Sequence, residues 1–148
     1  MIKSIITNLT MLLDKLSPLF DLGLRLYVAN VFWKSGLVKI ASWSSTVSLF
    51  QYEYAVPLLP PEVAAVMGTA TELIFPVFLV FGLGARLAAI VLFVFNIIAV
   101  ISYPDLNIVG VKDHILWGAL LLVVIFHGPG KLSLDHLISR RFIGDQVT

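Results

Sequence analysis

The stretch VAAVMGTATELIFPVFLVFG, residues 63–82, carries one charge, Glu72, in an otherwise apolar run. A helix rises 1.5 Å per residue, so a run of this length crosses a hydrocarbon layer about 30 Å thick. The surrounding chain fits that setting. Of its 148 residues 59% are hydrophobic and 13% charged, and the mean hydropathy is +0.97. Soluble domains are far more polar.

Turn signals divide the chain into four apolar runs, predicted as transmembrane spans over 19–40, 61–81, 85–103 and 113–127 of a single membrane domain, residues 1–148. Ser17-Pro18 separates the first span from residues 1–17, where Ile2, Ile5, Leu9, Leu12 and Leu16 recur at helical spacing as in an interfacial helix. Pro60-Pro61 starts the second span, and Gly82-Leu83-Gly84 turns it into the third. Gly128-Pro129-Gly130 stops the fourth and leads into a tail, 131–148, that can form a second surface helix. The expected fold is all-α: an integral membrane four-transmembrane-helix bundle with an amphipathic N-terminal helix and a short C-terminal surface helix. Trp43, Phe50, Tyr52 and Tyr54 crowd the segment before the second span, predicted as a loop resting on the headgroups.

Lys3, Lys15, Arg86, Lys131, Arg140 and Arg141 fall on one side of this topology, with Lys39 and Lys112 on the other. The positive-inside rule then puts both termini in the cytoplasm of a multi-pass inner-membrane protein, in contact with membrane lipid. A net charge of +1 without a basic cluster argues against nucleic acid as a partner. Cysteine is absent, which removes disulfides, thiolate metal sites and iron–sulfur ligation from this chain's own chemistry. His114 and His127 are 13 residues apart on one helix, about 20 Å, and no other span carries a histidine, so an intrachain bis-His haem is excluded. His114 is expected to be a loop histidine beside Asp113 and Asp105. No metal site and no intrinsic cofactor is expected.

Glu72 lies near the bilayer midplane, where an ionised carboxylate costs at least ~2.5 kcal/mol unless it is paired or reaches water. Three cations lie in the first span. Lys39 is 14 residues after Arg25, about 40° around the axis, whereas Lys34 is nine residues after it, about 180° away. Depth favours a bidentate Arg25–Glu72 pair, with Lys39 further out and Lys34 snorkelling past Trp33. Gly68, Thr69 and Pro76 share the Glu72 face, and Pro76 has no N–H to offer the Glu72 carbonyl. Asn96, a lone amide in the third span, is expected to tie helices together. A buried ion pair can fix helix register or form part of a site, and both roles stay open here.

Arg25, Gly36-Leu37-Val38-Lys39, Glu72, Gly82-Leu83-Gly84 with Arg86, and GPGKLSLD over 128–135 together resemble the DoxX family of small four-span membrane proteins, over about residues 22–135. The family includes the membrane subunit of a thiosulfate:quinone oxidoreductase. The resemblance implies a component of an oxidoreductase complex that is not catalytic alone, with a redox-enzyme partner subunit and a quinone as ligand; whether the chain forms a homo-oligomer stays open in the sequence. Arg25, Lys39, Trp33 and Phe75, with Phe32, have the donors and aromatic walls that a quinone headgroup needs, and Glu72 can orient it or relay a proton. The alternative is a transporter of small molecules or protons, or an assembly protein, in which the ion pair is structural.

Overall fold

The computed structural model describes residues 2–142. Six helices follow one another: α1 Ile2–Ala41, α2 Trp43–Tyr52, α3 Pro61–Phe81, α4 Ala85–Ser102, α5 Ile108–His127 and α6 Leu134–Phe142. Met1 and residues 143–148, the end of the expected tail, lie outside the described residues.

The C-terminal half of α1 packs on α3, α3 on α4, α4 on α5, and α5 back on α1. Four helices thus close a ring around one core. Leu24, Val28, Ala29 and Phe32 of α1 meet Leu79 of α3, Ala85, Ala88, Ala89 and Leu92 of α4, and Leu121 and Val124 of α5. The small residues matter because helices in an apolar solvent gain their cohesion from close packing rather than from expelling water. At the α1–α3 crossing, a Cβ on Gly36 would stand 2.8 Å from the Leu73 side chain. The opposite faces are apolar and outward: Met67, Ile90, Ile97, Ile115 and Phe126 are all exposed. Among the described residues, three helices are long and apolar enough to cross a membrane: α3, α4 and α5. The bundle half of α1 is interrupted by Arg25, Lys34 and Lys39.

Three expectations need correction. The break at Ser17-Pro18 does not occur, since α1 runs unbroken through Pro18 for 40 residues, about 60 Å. Proline removes one helical hydrogen bond, but no glycine or asparagine follows Leu16 to close a left-handed cap, so the helix continues. Residues 2–17 are exposed on every side and extend beyond the core. The aromatic segment is not a loop: it forms α2, whose Phe50 packs on Ala64 and Ala65 of α3. Thr46 Oγ1 donates to the Lys39 carbonyl at 2.8 Å and pins α2 to the end of α1. Finally, α5 starts at Ile108 rather than 113, because Asn107 is an N-cap whose side chain accepts from the Gly110 N–H at 2.8 Å.

The α3–α4 turn is fastened by the chain's C-terminal segment. Gly82 and Gly84 both have left-handed backbones (φ 65° and 55°). The Asp135 carboxylate accepts from the Gly84 and Ala85 N–H groups at 2.8 and 3.0 Å, neutralising the positive end of α4, and the Asp135 N–H donates to the Gly82 carbonyl at 2.9 Å. A Cβ on Gly82 would stand 2.5 Å from Ser133 Cβ and 2.8 Å from Arg25 Nη1. Gly82→Ala therefore combines backbone strain with a clash, and is expected to lower unfolding stability in detergent by more than about 1 kcal/mol. Gly84→Ala carries the same backbone strain but meets open space, so it should lose less.

Candidate functional site

Glu72 is 5% exposed, and its carboxylate is paired with Lys39 rather than Arg25. Lys39 Nζ donates to both carboxylate oxygens, at 2.7 Å to Oε1 and 2.6 Å to Oε2. Ser35, one turn before Lys39 on α1, closes the group: its hydroxyl donates to Glu72 Oε1 at 3.0 Å and accepts from Lys39 Nζ at 2.9 Å. Every charge in the cluster thus has a partner, which an ion pair withdrawn from water requires.

The expected Arg25–Glu72 pair does not form. Arg25 is fully buried, and Nη1 donates to the Leu79 and Val80 carbonyls at 2.9 and 3.0 Å while Nη2 donates to the Leu132 carbonyl. Leu79 is seven residues past Glu72 on α3, about 10 Å along the axis. The last carbonyls of a helix have no intrahelical donor and lie at its negative end, so a guanidinium level with the end of α3 is held there. Lys39 approaches Glu72 from the other end of α1. The shared face of Arg25 and Lys39 is as expected, and Lys34 is exposed.

The cluster borders a cavity of about 470 Å³ enclosed by α1, α3, α4, α5 and the segment linking α2 to α3. Lys39, Glu72 and Ser35 line it together with Phe32, Phe95 and Trp117. These rings meet edge to face, with Phe32 centroids 6.4 Å from Phe95 and 6.2 Å from Trp117. Tyr54 and Tyr103 line another part, their rings 5.2 Å apart. Burial, reinforced by Tyr103, Glu72 and Glu53 nearby, raises the Tyr54 pKa, which keeps its phenol neutral. The wall also includes Met67 of α3 and Val94 and Ile98 of α4, which are 53%, 49% and 36% exposed. The cavity therefore runs outward between α3 and α4, through apolar side chains on the bundle's exterior.

Of the residues named in the sequence as lining a headgroup site, Lys39, Glu72 and Phe32 reach this cavity, whereas Arg25, Trp33 and Phe75 do not. Trp33 is 38% exposed, and Phe75 packs against the main core. Thr69 and Pro76 are buried on the α3 face toward the bundle, and the Thr69 hydroxyl has no partner among the described residues. Asn96 does tie two helices: Nδ2 donates to the His114 carbonyl at 2.9 Å, and Oδ1 lies 2.7 Å from His114 Nδ1. His114 is consequently no loop residue. It sits in α5 because the earlier Asn107 cap carries the helix past it, and it lines the cavity with its ring 4.8 Å from Trp117. Ser35 is legible as the i−4 neighbour of Lys39, but Tyr54, Tyr103 and His114 come to one cavity only through tertiary packing. Among the described residues no three histidine, aspartate or glutamate side chains converge as metal ligands.

The DoxX family model matches residues 20–104, more than half of the chain, including Arg25, Lys39 and Glu72. The chain belongs to the DoxX family. A Haemophilus influenzae protein described as uncharacterized is 32% identical to this DoxX-family chain over 124 residues, covering 79% of the chain and 82% of the relative. No solved structure matches the chain. Family and apolar helices together make this DoxX protein a multi-pass membrane protein.

Proposed function

We propose that this DoxX-family chain is a binding subunit for a lipophilic molecule with a planar ring headgroup bearing polar oxygens, of the quinone type, seated in the cavity beside Lys39 and Glu72. One observation carries the reading: a polar cluster inside the bundle lies in a cavity whose remaining wall leads through Met67, Val94 and Ile98 to the apolar exterior. Such a path suits a ligand delivered from hydrocarbon rather than from water. The volume accommodates a one- or two-ring headgroup, the aromatic side chains supply flat walls, and the Ser102 hydroxyl, without a partner among the described residues, supplies a donor for a carbonyl oxygen. In this reading the DoxX protein supplies binding and orientation, and electrons for the ligand come from a redox-enzyme partner subunit.

In this reading the bundle half of α1 is the fourth span, with its charges turned inward or snorkelling. Arg86 lies against Gly128, and Arg25 against Leu132, so the basic residues of the α3–α4 turn and of the C-terminal segment share one end of the bundle. By the positive-inside rule that end is cytoplasmic. The residues of α1 before the core extend on the same side.

Solvent extraction of gently purified protein, followed by mass spectrometry, should recover a quinone near stoichiometric amount, and a decyl-substituted quinone should quench tryptophan fluorescence saturably. Loss of both signals in wild-type protein would rule the reading out. The alternative, an assembly protein or transporter in which the ion pair only fixes register, draws support from the completeness of the Lys39–Glu72–Ser35 hydrogen bonds. The double substitution discussed below separates the two.

A further inference from the structure

The Asn96–His114 contact fixes more than helix register. A backbone carbonyl only accepts, so the Asn96 group facing the His114 carbonyl at 2.9 Å is the amide NH2. That leaves Oδ1, a pure acceptor, 2.7 Å from His114 Nδ1. Nδ1 must therefore carry the proton. In the neutral ring the second nitrogen, Nε2, is then an acceptor with its lone pair free. No hydrogen bond engages Nε2 among the described residues, and His114 lines the cavity beside Trp117. A second polar group points to the same need: the Ser102 hydroxyl, in a residue 2% exposed that also lines the cavity, has no partner among the described residues.

We propose that His114 Nε2 accepts a hydrogen bond from a hydroxyl on the bound headgroup, so that the site distinguishes a phenol or hydroquinone from the same ring without that donor. The inference rests on the binding reading above and specifies which form of the ligand is held. The Ser102 hydroxyl can donate and suits a carbonyl or ether oxygen. His114, locked by Asn96, is the complementary acceptor. A site that offers both recognises a ring bearing two different oxygens, and a ligand lacking the hydroxyl leaves Nε2 desolvated and unpaired.

The test compares a decyl-substituted hydroquinone with its methyl ethers under nitrogen, read by tryptophan fluorescence of the detergent-purified protein. Wild type is expected to bind the hydroquinone roughly tenfold more tightly than the dimethyl ether, the range of one well-placed hydrogen bond. His114→Asn keeps an amide donor toward Asn96 but deletes the Nε2 acceptor, and should bring the affinities to within about twofold. The 15N shifts of wild-type His114 provide a measurement independent of any variant: a protonated Nδ1, and an unprotonated Nε2 that moves upfield when the hydroquinone binds. Equal wild-type affinities for hydroquinone and ether, retained discrimination in His114→Asn, or an Nε2–H tautomer would each overturn the inference while the binding reading stands. Absence of binding by every ring, quinone included, would sink the reading itself and the inference with it.

Discussion

Arg25→Leu is expected to be the most damaging single substitution in the bundle, lowering unfolding stability by roughly 3–5 kcal/mol. The guanidinium is fully buried and donates to three carbonyls from two separate segments, Leu79 and Val80 at the end of α3 and Leu132 after α5. Leucine satisfies none of them; the Leu79 carbonyl keeps the Gly82 N–H at 3.2 Å, but stranding the other buried acceptors costs more than the hydrogen bonds alone contribute. The damage should also be local in origin. Arg25 stands between Gly82 and the segment that Asp135 ties down, so its loss loosens the α3–α4 turn and the C-terminal segment together. Chemical denaturation in mild detergent gives the magnitude, and proteolysis near residues 128–135 gives the place. Arg25→Lys should recover about half of the loss, because an ammonium is a point donor and cannot span three acceptors as a planar fork does. Wild-type-like stability of Arg25→Leu would show that the carbonyls find other donors.

The second large effect belongs to Lys39 and Glu72. Lys39→Met leaves a carboxylate that is 6% exposed with Ser35 as its one remaining donor, and is expected to cost about 3 kcal/mol. Glu72→Met should cost less, about 1–2 kcal/mol, because Lys39 is near the end of α1, is 14% exposed, and can turn its long stem toward the surface. The double variant removes both charges and should recover most of the stability, since an apolar pair of similar volume generally replaces a buried ion pair without net cost. Measured as a double-mutant cycle, the coupling is then favourable by about 2 kcal/mol or more. Binding separates structure from function. If the pair orients a headgroup, the refolded double variant still fails to bind the decyl quinone. If it binds like wild type, the pair is register-fixing glue and the cavity's function lies elsewhere.

Much of the architecture was legible in the sequence because hydrophobic length and turn chemistry are local. Pro61 at the start of α3 and Gly82 at its end mark themselves by what their backbones allow. Pro18 looked equally decisive and was not, because a proline costs a helix one hydrogen bond while termination needs a residue able to cap it. Asn107 was the overlooked signal: as an N-cap it moves the start of α5 back and draws His114 into the bundle. At the site, helical periodicity grouped Arg25 with Lys39 and set Lys34 apart. It could not rank the two as partners for Glu72, because that depends on the vertical offset between α1 and α3, a tertiary quantity. The length of α1 beyond the core hid that offset, since no sequence mark shows where along those 40 residues the packed half begins.

The passage between Met67 and Val94 opens the cavity to ligands dissolved in the bilayer. For a compound that partitions almost wholly into the acyl chains, its mole fraction among the lipids sets its chemical potential, so occupancy follows that mole fraction rather than its total concentration in the suspension. Diluting a proteoliposome suspension with buffer should leave saturation unchanged, whereas adding empty vesicles should empty the protein in proportion to the added lipid. Alkyl-tail length would then alter apparent affinity mainly through partitioning, with the ring alone setting selectivity among compounds already dissolved in the bilayer.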